Sequence, residues 1–257
     1  MKNSANIKNI IQKGTWYHSV DFEGTKSKGT FDYNNLMSDL NLPNMSGMKI
    51  MDVGCSDGYF SKYFLESLGG EYVRGIDFNK YDGSIAFEVL NTYEDDYKEK
   101  YENHDDYDEL EDDYSSLNLS DSNKFNFVKK IFDLNMEYSF GSIYDLSNFE
   151  NFDVTFCGSL LEHLRDPITA IEQLYFKTDN FCIIDISNTF KSGLFTKSKP
   201  YLKYTGSGGN FYHYTPSAVK LMMKNIGFKE VKSLSSYKIK IEKYDYKIPH
   251  EILIGYK

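Results

Sequence analysis

The sequence predicts an α/β fold: a mostly parallel sheet with helices on both faces and an antiparallel edge formed by the C-terminal segment. Three observations carry that expectation. An apolar strand, Met48 to Val53, runs directly into the turn Gly54-Cys55-Ser56-Asp57-Gly58 and then into a helical pattern from Tyr59 to Leu68. Further short apolar runs follow at Glu71 to Asp77, Met136 to Phe140, Phe152 to Cys157 and Phe181 to Ile186. The last is apolar enough to be buried on both faces, as parallel strands are. Finally, Phe228 to Ser235, Tyr237 to Ile241 and Glu251 to Tyr256 alternate apolar with polar residues, the pattern of antiparallel strands at a sheet edge.

A chain of 257 residues is long enough to fold as one domain with a well-filled core. Residues 1–47 are expected to form an N-terminal helical cap. Residues 1–12 place Ile7, Ile10 and Ile11 on one side of a helix, and Phe31 to Leu42 reads as a second short helix that ends before Pro43. Between them Trp16, Tyr17 and His18 lie outside any apolar period; they either plug one end of the sheet or form a lid over a ligand. Residues 93–122 are dense in Asp, Glu and Tyr without a steady period, which marks an acidic insertion. Such a segment is either solvated or a flap that covers a site or supports a homodimer. From Lys124 to Asp133 a helical pattern resumes, with Phe127, Val128, Ile131 and Leu134 on its buried side. Asp166-Pro167 and Thr215-Pro216 each open a helix, the second running through Met223 and ending at Gly227.

Composition narrows the partners. Between Glu94 and Ser122 thirteen acids stand against Lys98 and Lys100, a local charge of −11 that leaves the rest of the chain at +2 of the total −9. That segment argues against a large polyanion such as nucleic acid. No run approaches the apolar length of a membrane span and the N-terminus is polar, so a soluble cytoplasmic protein is expected, without membrane contact. Cys55, Cys157 and Cys182 are isolated from one another, which points to neither a disulfide framework nor a metal cluster.

The glycine turn separates two nucleotide-binding families. A dinucleotide fingerprint from Gly54 would demand glycine at Ser56 and Tyr59, and neither is there. The motif Asp52-x-Gly54-x-Ser56-Asp57-Gly58, with the acid Asp77 about twenty residues on at the end of the second strand, resembles class I S-adenosylmethionine-dependent methyltransferases. Ser56 stands where that family usually has glycine. Gly158-Ser159-Leu160-Leu161-Glu162-His163-Leu164-Arg165-Asp166-Pro167 is similar to the family's post-strand motif, and the resemblance runs from about Met48 to Ile186.

The resemblance implies a Rossmann-like sheet, S-adenosylmethionine as cofactor, and a set of site residues. Gly54, Ser56, Asp57 and Gly58 would meet its methionine end over Asp52, Asp77 would take the ribose hydroxyls, and Phe78 would pack on the adenine with Ser142 and Ile143 as neighbours. Cys157, Gly158 and Ser159 would line the methyl's approach, with Trp16 and Tyr17 in the lid. Transfer to a hydroxyl also needs a base. His163, His18 and His213 are the histidines expected near the mouth, and Asp185, ending the fifth strand, is a further candidate; His104 and His250 are expected elsewhere.

The acidless stretch Phe190 to Tyr204 offers Lys197, Lys199, Lys203 and Tyr201 beside Tyr212, either a phosphate clamp or a solvated loop. These residues favour a small phosphate-bearing acceptor, and O-methylation of a nucleotide-linked sugar for surface polysaccharide is the expected reaction, by analogy. Methylation of tRNA, small-molecule N-methylation and non-catalytic cofactor binding are the alternatives.

Overall fold

The computed structural model describes residues 3–77, 121–188, 199–207, 210–241 and 246–257. The N-terminal part holds α1 (Asn3–Lys13), the short strands β1 (Trp16–His18), β2 (Asp21–Phe22), β3 (Thr25–Lys26) and β4 (Gly29–Phe31), and a 3-10 turn at Met37–Leu40. Next come β5 (Lys49–Val53), α2 (Tyr59–Glu66), β6 (Tyr72–Asp77), α3 (Asp121–Phe132), β7 (Met136–Phe140) and β8 (Phe152–Gly158). A second 3-10 turn, Leu161–His163, leads into α4 (Pro167–Lys177) and β9 (Thr178–Ser187). The C-terminal part holds the hairpin β10 (Leu202–Ser207) and β11 (Asn210–Tyr214), then α5 (Pro216–Ile226), β12 (Glu230–Ile241) and β13 (Tyr246–Tyr256).

Nine of these strands form one sheet in the order β1-β4-β12-β13-β9-β8-β5-β6-β7. From β7 to β9 every pairing is parallel, β13 joins antiparallel to β9, and β12 antiparallel to β13. Chain order reverses between β5 and β8. A crevice opens outside the carboxyl ends of strands at such a reversal, which is where open α/β sheets bind ligands.

The central parallel strands β5, β8 and β9 are mostly apolar because both sheet faces are covered there. On β5 and β9, Ile50 and Ile183 point into a core shared with Phe64, Phe125 and Trp16, while Met51 and Ile184 point into one shared with Leu174 and Met223. Helix starts follow local chemistry: the Asp166 carboxylate accepts the Thr169 N–H, the Thr215 hydroxyl accepts that of Ala218, and proline follows each cap. At the end of α5, Gly227 takes φ 134° and its N–H donates to Met223 and Lys224.

Two expectations need correcting. The N-terminal segment contains one α-helix rather than two, and β4 and β1 extend the sheet beyond β12. Where Phe31 to Leu42 was expected as helix, Asp32 accepts from the backbone and side-chain N–H groups of Asn34, and the Asn34 amide also donates to Ser19. Such local bonds compete with helix formation. The strands expected on either side of Ser236 are one strand, β12, with a register shift between Ser233 and Ser235. Ser235 and Ser236, which read as a break, donate their hydroxyls to the Leu40 carbonyl and to Glu251.

The acidic insertion from 93 to 120 lies outside the described residues, and Asp121 and Ser122 begin α3. Among the described residues no helix is long and apolar enough to cross a membrane, and no group of three or more His, Cys, Asp or Glu side chains could hold a metal ion.

Helix α3 can sit on the sheet because Gly75 of β6 carries no side chain: a Cβ there would lie 2.5 Å from the Phe125 ring and 2.8 Å from Cys55 Sγ. Gly75→Ala is therefore expected to lower stability by about 1–3 kcal/mol through overpacking. Urea unfolding should show a lower midpoint at unchanged slope; an unshifted midpoint would mean that α3 is not seated against β6.

Candidate active site

The turn after β5 is built to bring backbone to the crevice. Gly54, Ser56 and Gly58 all have left-handed φ, 83°, 48° and 79°, so Ser56 adopts the conformation that glycine adopts most cheaply. Its N–H donates to Asp77 Oδ2 at 2.7 Å, and the Gly54 N–H donates to the Ile76 carbonyl at 2.8 Å, which ties the turn to the end of β6. Asp52 is buried beneath. Burial raises its carboxyl to about 6, against the opposing hydrogen bond from Ser61 Oγ at 2.6 Å.

Gly54, Ser56, Asp77, Gly158, Ser159 and Leu160 are all partly exposed and ring the crevice from both sides of the strand-order reversal. A Cβ on Gly54 would come within 3.3 Å of the Leu160 side chain. This cradle fits a nucleoside cofactor. Ser142 is partly exposed, its Oγ accepting the Tyr144 N–H, while Ile143 is buried.

Several expected cofactor neighbours are used differently. Asp57 is fully buried and turned toward the N-terminal segment: Oδ2 accepts the N–H groups of Tyr17 and His18 at 3.1 and 2.7 Å, and Oδ1 lies 2.6 Å from His18 Nδ1. Burial alone would raise its carboxyl, yet His18's charge and hydrogen bonds hold it below the usual range. Trp16 packs between Phe22 and Phe127 in the core, the plug rather than the lid. Cys157 is buried in the other core, and burial raises its thiol well above the usual value. Phe78 and Lys197 lie outside the described residues.

The expected bases are also sorted. His18 is committed to Asp57, His163 is half-buried in the 3-10 turn, and His213 sits on β11 opposite Lys203 of β10. Asp185 is held by another histidine. His250 Nδ1 lies 3.2 Å from Asp185 Oδ2, both side chains are buried, and Tyr237 donates its hydroxyl to the same oxygen at 2.6 Å. The Tyr33 hydroxyl is 3.4 Å from that of Tyr237, and Ser159 Oγ is 3.4 Å from Asp185 Oδ2 and from His250 Nδ1.

Burial pushes His250 down, but the Asp185 charge and hydrogen bond outweigh it, so its pKa is raised above 6.5. The pairing of β13 with β9 puts His250 opposite Ser187, two residues past Asp185, a register that neither strand specifies alone.

Lys203 and Tyr212 do not share one face of the hairpin. In the β10–β11 hairpin Lys203 pairs with His213, whereas Tyr204 pairs with Tyr212 on the other side and Tyr212 donates its hydroxyl to the Arg165 carbonyl. Lys199 and Tyr201 are exposed at its base.

A Rossmann-like sheet, a left-handed turn tied to an acid at the end of the next strand, and a crevice at the strand-order reversal together define an S-adenosylmethionine-dependent class I methyltransferase, whose cofactor is S-adenosylmethionine. A family model described as a methyltransferase domain matches residues 32–233, and the chain belongs to that family. No curated protein sequence matches.

Among solved structures, the fold is similar to the N-terminal domain of EvdMO1, crystallised in the presence of SAH and D-fucose: TM-score 0.58, 13% identity, covering 100% of this chain and 97% of that one. It is also similar to the 1,6-didemethyltoxoflavin-N1-methyltransferase of Burkholderia thailandensis, with TM-score 0.51 and 11% identity over 82% of this chain and 72% of that one. A third is an S-adenosylmethionine-dependent methyltransferase from Mesorhizobium loti, with TM-score 0.50 and 12% identity over 84% and 94%.

Asp57→Asn removes the charge and leaves the shape. A group whose folded pKa is depressed contributes stability above its unfolded pKa and loses it as pH falls through the folded value. The variant is expected to be less stable than wild type by about 2–4 kcal/mol at neutral pH, with the gap closing below about pH 4. Denaturant melts across pH check this; a gap independent of pH would assign the loss to altered hydrogen bonding rather than to charge.

Proposed function

We propose that this methyltransferase acts on a hydroxyl of a small sugar-like acceptor, and that the His250–Asp185 pair takes up the hydroxyl proton. The observation that carries the reading is that pair, held at the carboxyl end of β9 beside the crevice. When bound, S-adenosylmethionine supplies an activated methyl group. An amine acceptor needs little more than alignment, whereas a hydroxyl must also lose a proton. Asp185 orients the imidazole and stabilises its protonated form, and the Tyr237 hydroxyl fixes the carboxylate from the other side. In this reading Ser56 and its neighbouring amides meet the methionine end, Asp77 takes the ribose hydroxyls, and Ser142 and Ile143 lie near the adenine.

Two further observations support the acceptor class. EvdMO1's N-terminal domain, similar in fold, was crystallised in the presence of D-fucose. Lys203 and His213 also stand side by side on one face of the hairpin that packs over the Leu161–His163 turn, where they would suit a phosphate. A nucleotide-linked sugar, the form in which sugars enter polysaccharide synthesis, meets both requirements. A cytoplasmic location goes with such an acceptor.

The test is S-adenosylhomocysteine production with a panel of free and UDP-linked hexoses. His250→Gln and Asp185→Asn are expected to lower kcat by about 10²- to 10⁴-fold while the melting shift induced by S-adenosylhomocysteine persists. In wild type, kcat should rise with pH and level off above 6.5, because the base must be unprotonated and its pKa is raised. Turnover confined to amines and indifferent to His250 would replace this reading with N-methylation.

A further inference from the structure

The Ser159 hydroxyl lies between the buried Asp185–His250 pair and the crevice rim. Asp185, His250, Tyr237 and Tyr33 are at most 7% exposed, whereas Ser159 is partly exposed on the crevice rim. Its N–H donates to the Asp185 carbonyl at 2.9 Å, and its Oγ lies 3.4 Å from both Asp185 Oδ2 and His250 Nδ1. Ser159 does this with φ 49°, a left-handed conformation that glycine would adopt at lower cost. A side chain is kept here despite its strain, and it reaches the buried pair from the crevice side.

We propose that Ser159 is a catalytic proton relay between the acceptor hydroxyl and the His250–Asp185 pair, an inference that rests on the hydroxyl-methylation reading above. The acceptor hydroxyl donates to Ser159 Oγ while the Ser159 hydroxyl donates to Asp185 Oδ2. As the donor's carbon–sulfur bond breaks and the acceptor's oxygen–carbon bond forms, the acceptor proton passes to Ser159 Oγ. With His250 as its Nε2–H tautomer, so that Nδ1 carries no proton at the start, Ser159's own proton passes by way of Asp185 Oδ2 to His250 Nδ1, and the pair ends as imidazolium beside carboxylate. The positive charge lost by the sulfonium thus reappears on His250, and the products are a methyl ether and a neutral thioether. Hydrogen bonds of 3.4 Å are long for transfer, and such contacts shorten when the reacting complex forms. Keeping the pair behind Ser159 excludes water from the base.

Ser159→Ala and Ser159→Gly are compared with His250→Gln in single-turnover methyl transfer to the hexoses that wild type accepts. The glycine variant keeps the left-handed backbone without strain, so it separates loss of the hydroxyl from loss of fold, and retained melting shifts with S-adenosylhomocysteine confirm an intact cofactor site. Both serine variants are expected to be slower by about 10- to 10²-fold. Rates in mixtures of H2O and D2O should curve with deuterium fraction in wild type, where two protons move, and become linear in the serine variants.

Serine variants within about twofold of wild type, with His250→Gln slow, would overturn the relay and leave the base intact. A straight wild-type plot would also overturn the relay. No turnover on any hexose, or turnover indifferent to His250, would overturn the hydroxyl reading and the relay with it.

Discussion

The site depends on one buried carboxylate. Asp57 sits inside the cofactor turn but spends its oxygens on the N-terminal segment, receiving two backbone N–H groups and the His18 ring. A buried charge is stable only when it is paired and hydrogen-bonded, and here the hydrogen bonds come from Tyr17 and His18 of β1, about forty residues away in sequence, with the Lys124 charge of α3 adding to them. The turn and the segment therefore constrain each other. His18 stacks on Tyr59 at the start of α2, and Tyr33, from the same N-terminal segment, packs against Tyr59, Phe60 and Tyr237. Through Tyr237 this aromatic layer reaches Asp185. The segment that fixes the cofactor turn is the one that backs the Asp185–His250 pair.

Legibility from sequence followed the physics of each element. Strands buried on both faces announce themselves as apolar runs, as β5, β8 and β9 do, and these together with β6 and β7 were placed within a few residues. Proline after a capping Asp or Thr located the starts of α4 and α5. The N-terminal strands were not legible because they are two or three residues long, too short to show alternation. β12 was split in two because Ser235 and Ser236 look like a turn when their partners, Leu40 and Glu251, are unknown.

The same distinction separates the site residues. A motif specifies where a backbone bends, so the turns at Gly54 and Gly58 could be read directly, whereas Ser56 read only as a departure from glycine and proves to be left-handed as well. It does not specify where a side chain points. Asp57 lies within the motif and faces away from the crevice, while Cys157 follows its strand into the core. Asp185 was legible as an acid at a strand end. His250 was not, because its partner is 65 residues away and their meeting requires the pairing of β13 with β9. Register is a property of two strands together.

Two serines in left-handed conformation show how backbone strain can be interpreted. At Ser56 the group in use is the backbone N–H on Asp77, and glycine would present the same donor. At Ser159 the N–H is also used, but the hydroxyl makes contacts with Asp185 and His250 that glycine could not supply. Equal strain thus has different explanations: geometry at one position, chemistry at the other. The strained residue with a side-chain partner is also the one between an open crevice and buried ionisable groups. That coincidence, rather than strain alone, is what supports the proposed relay role of Ser159.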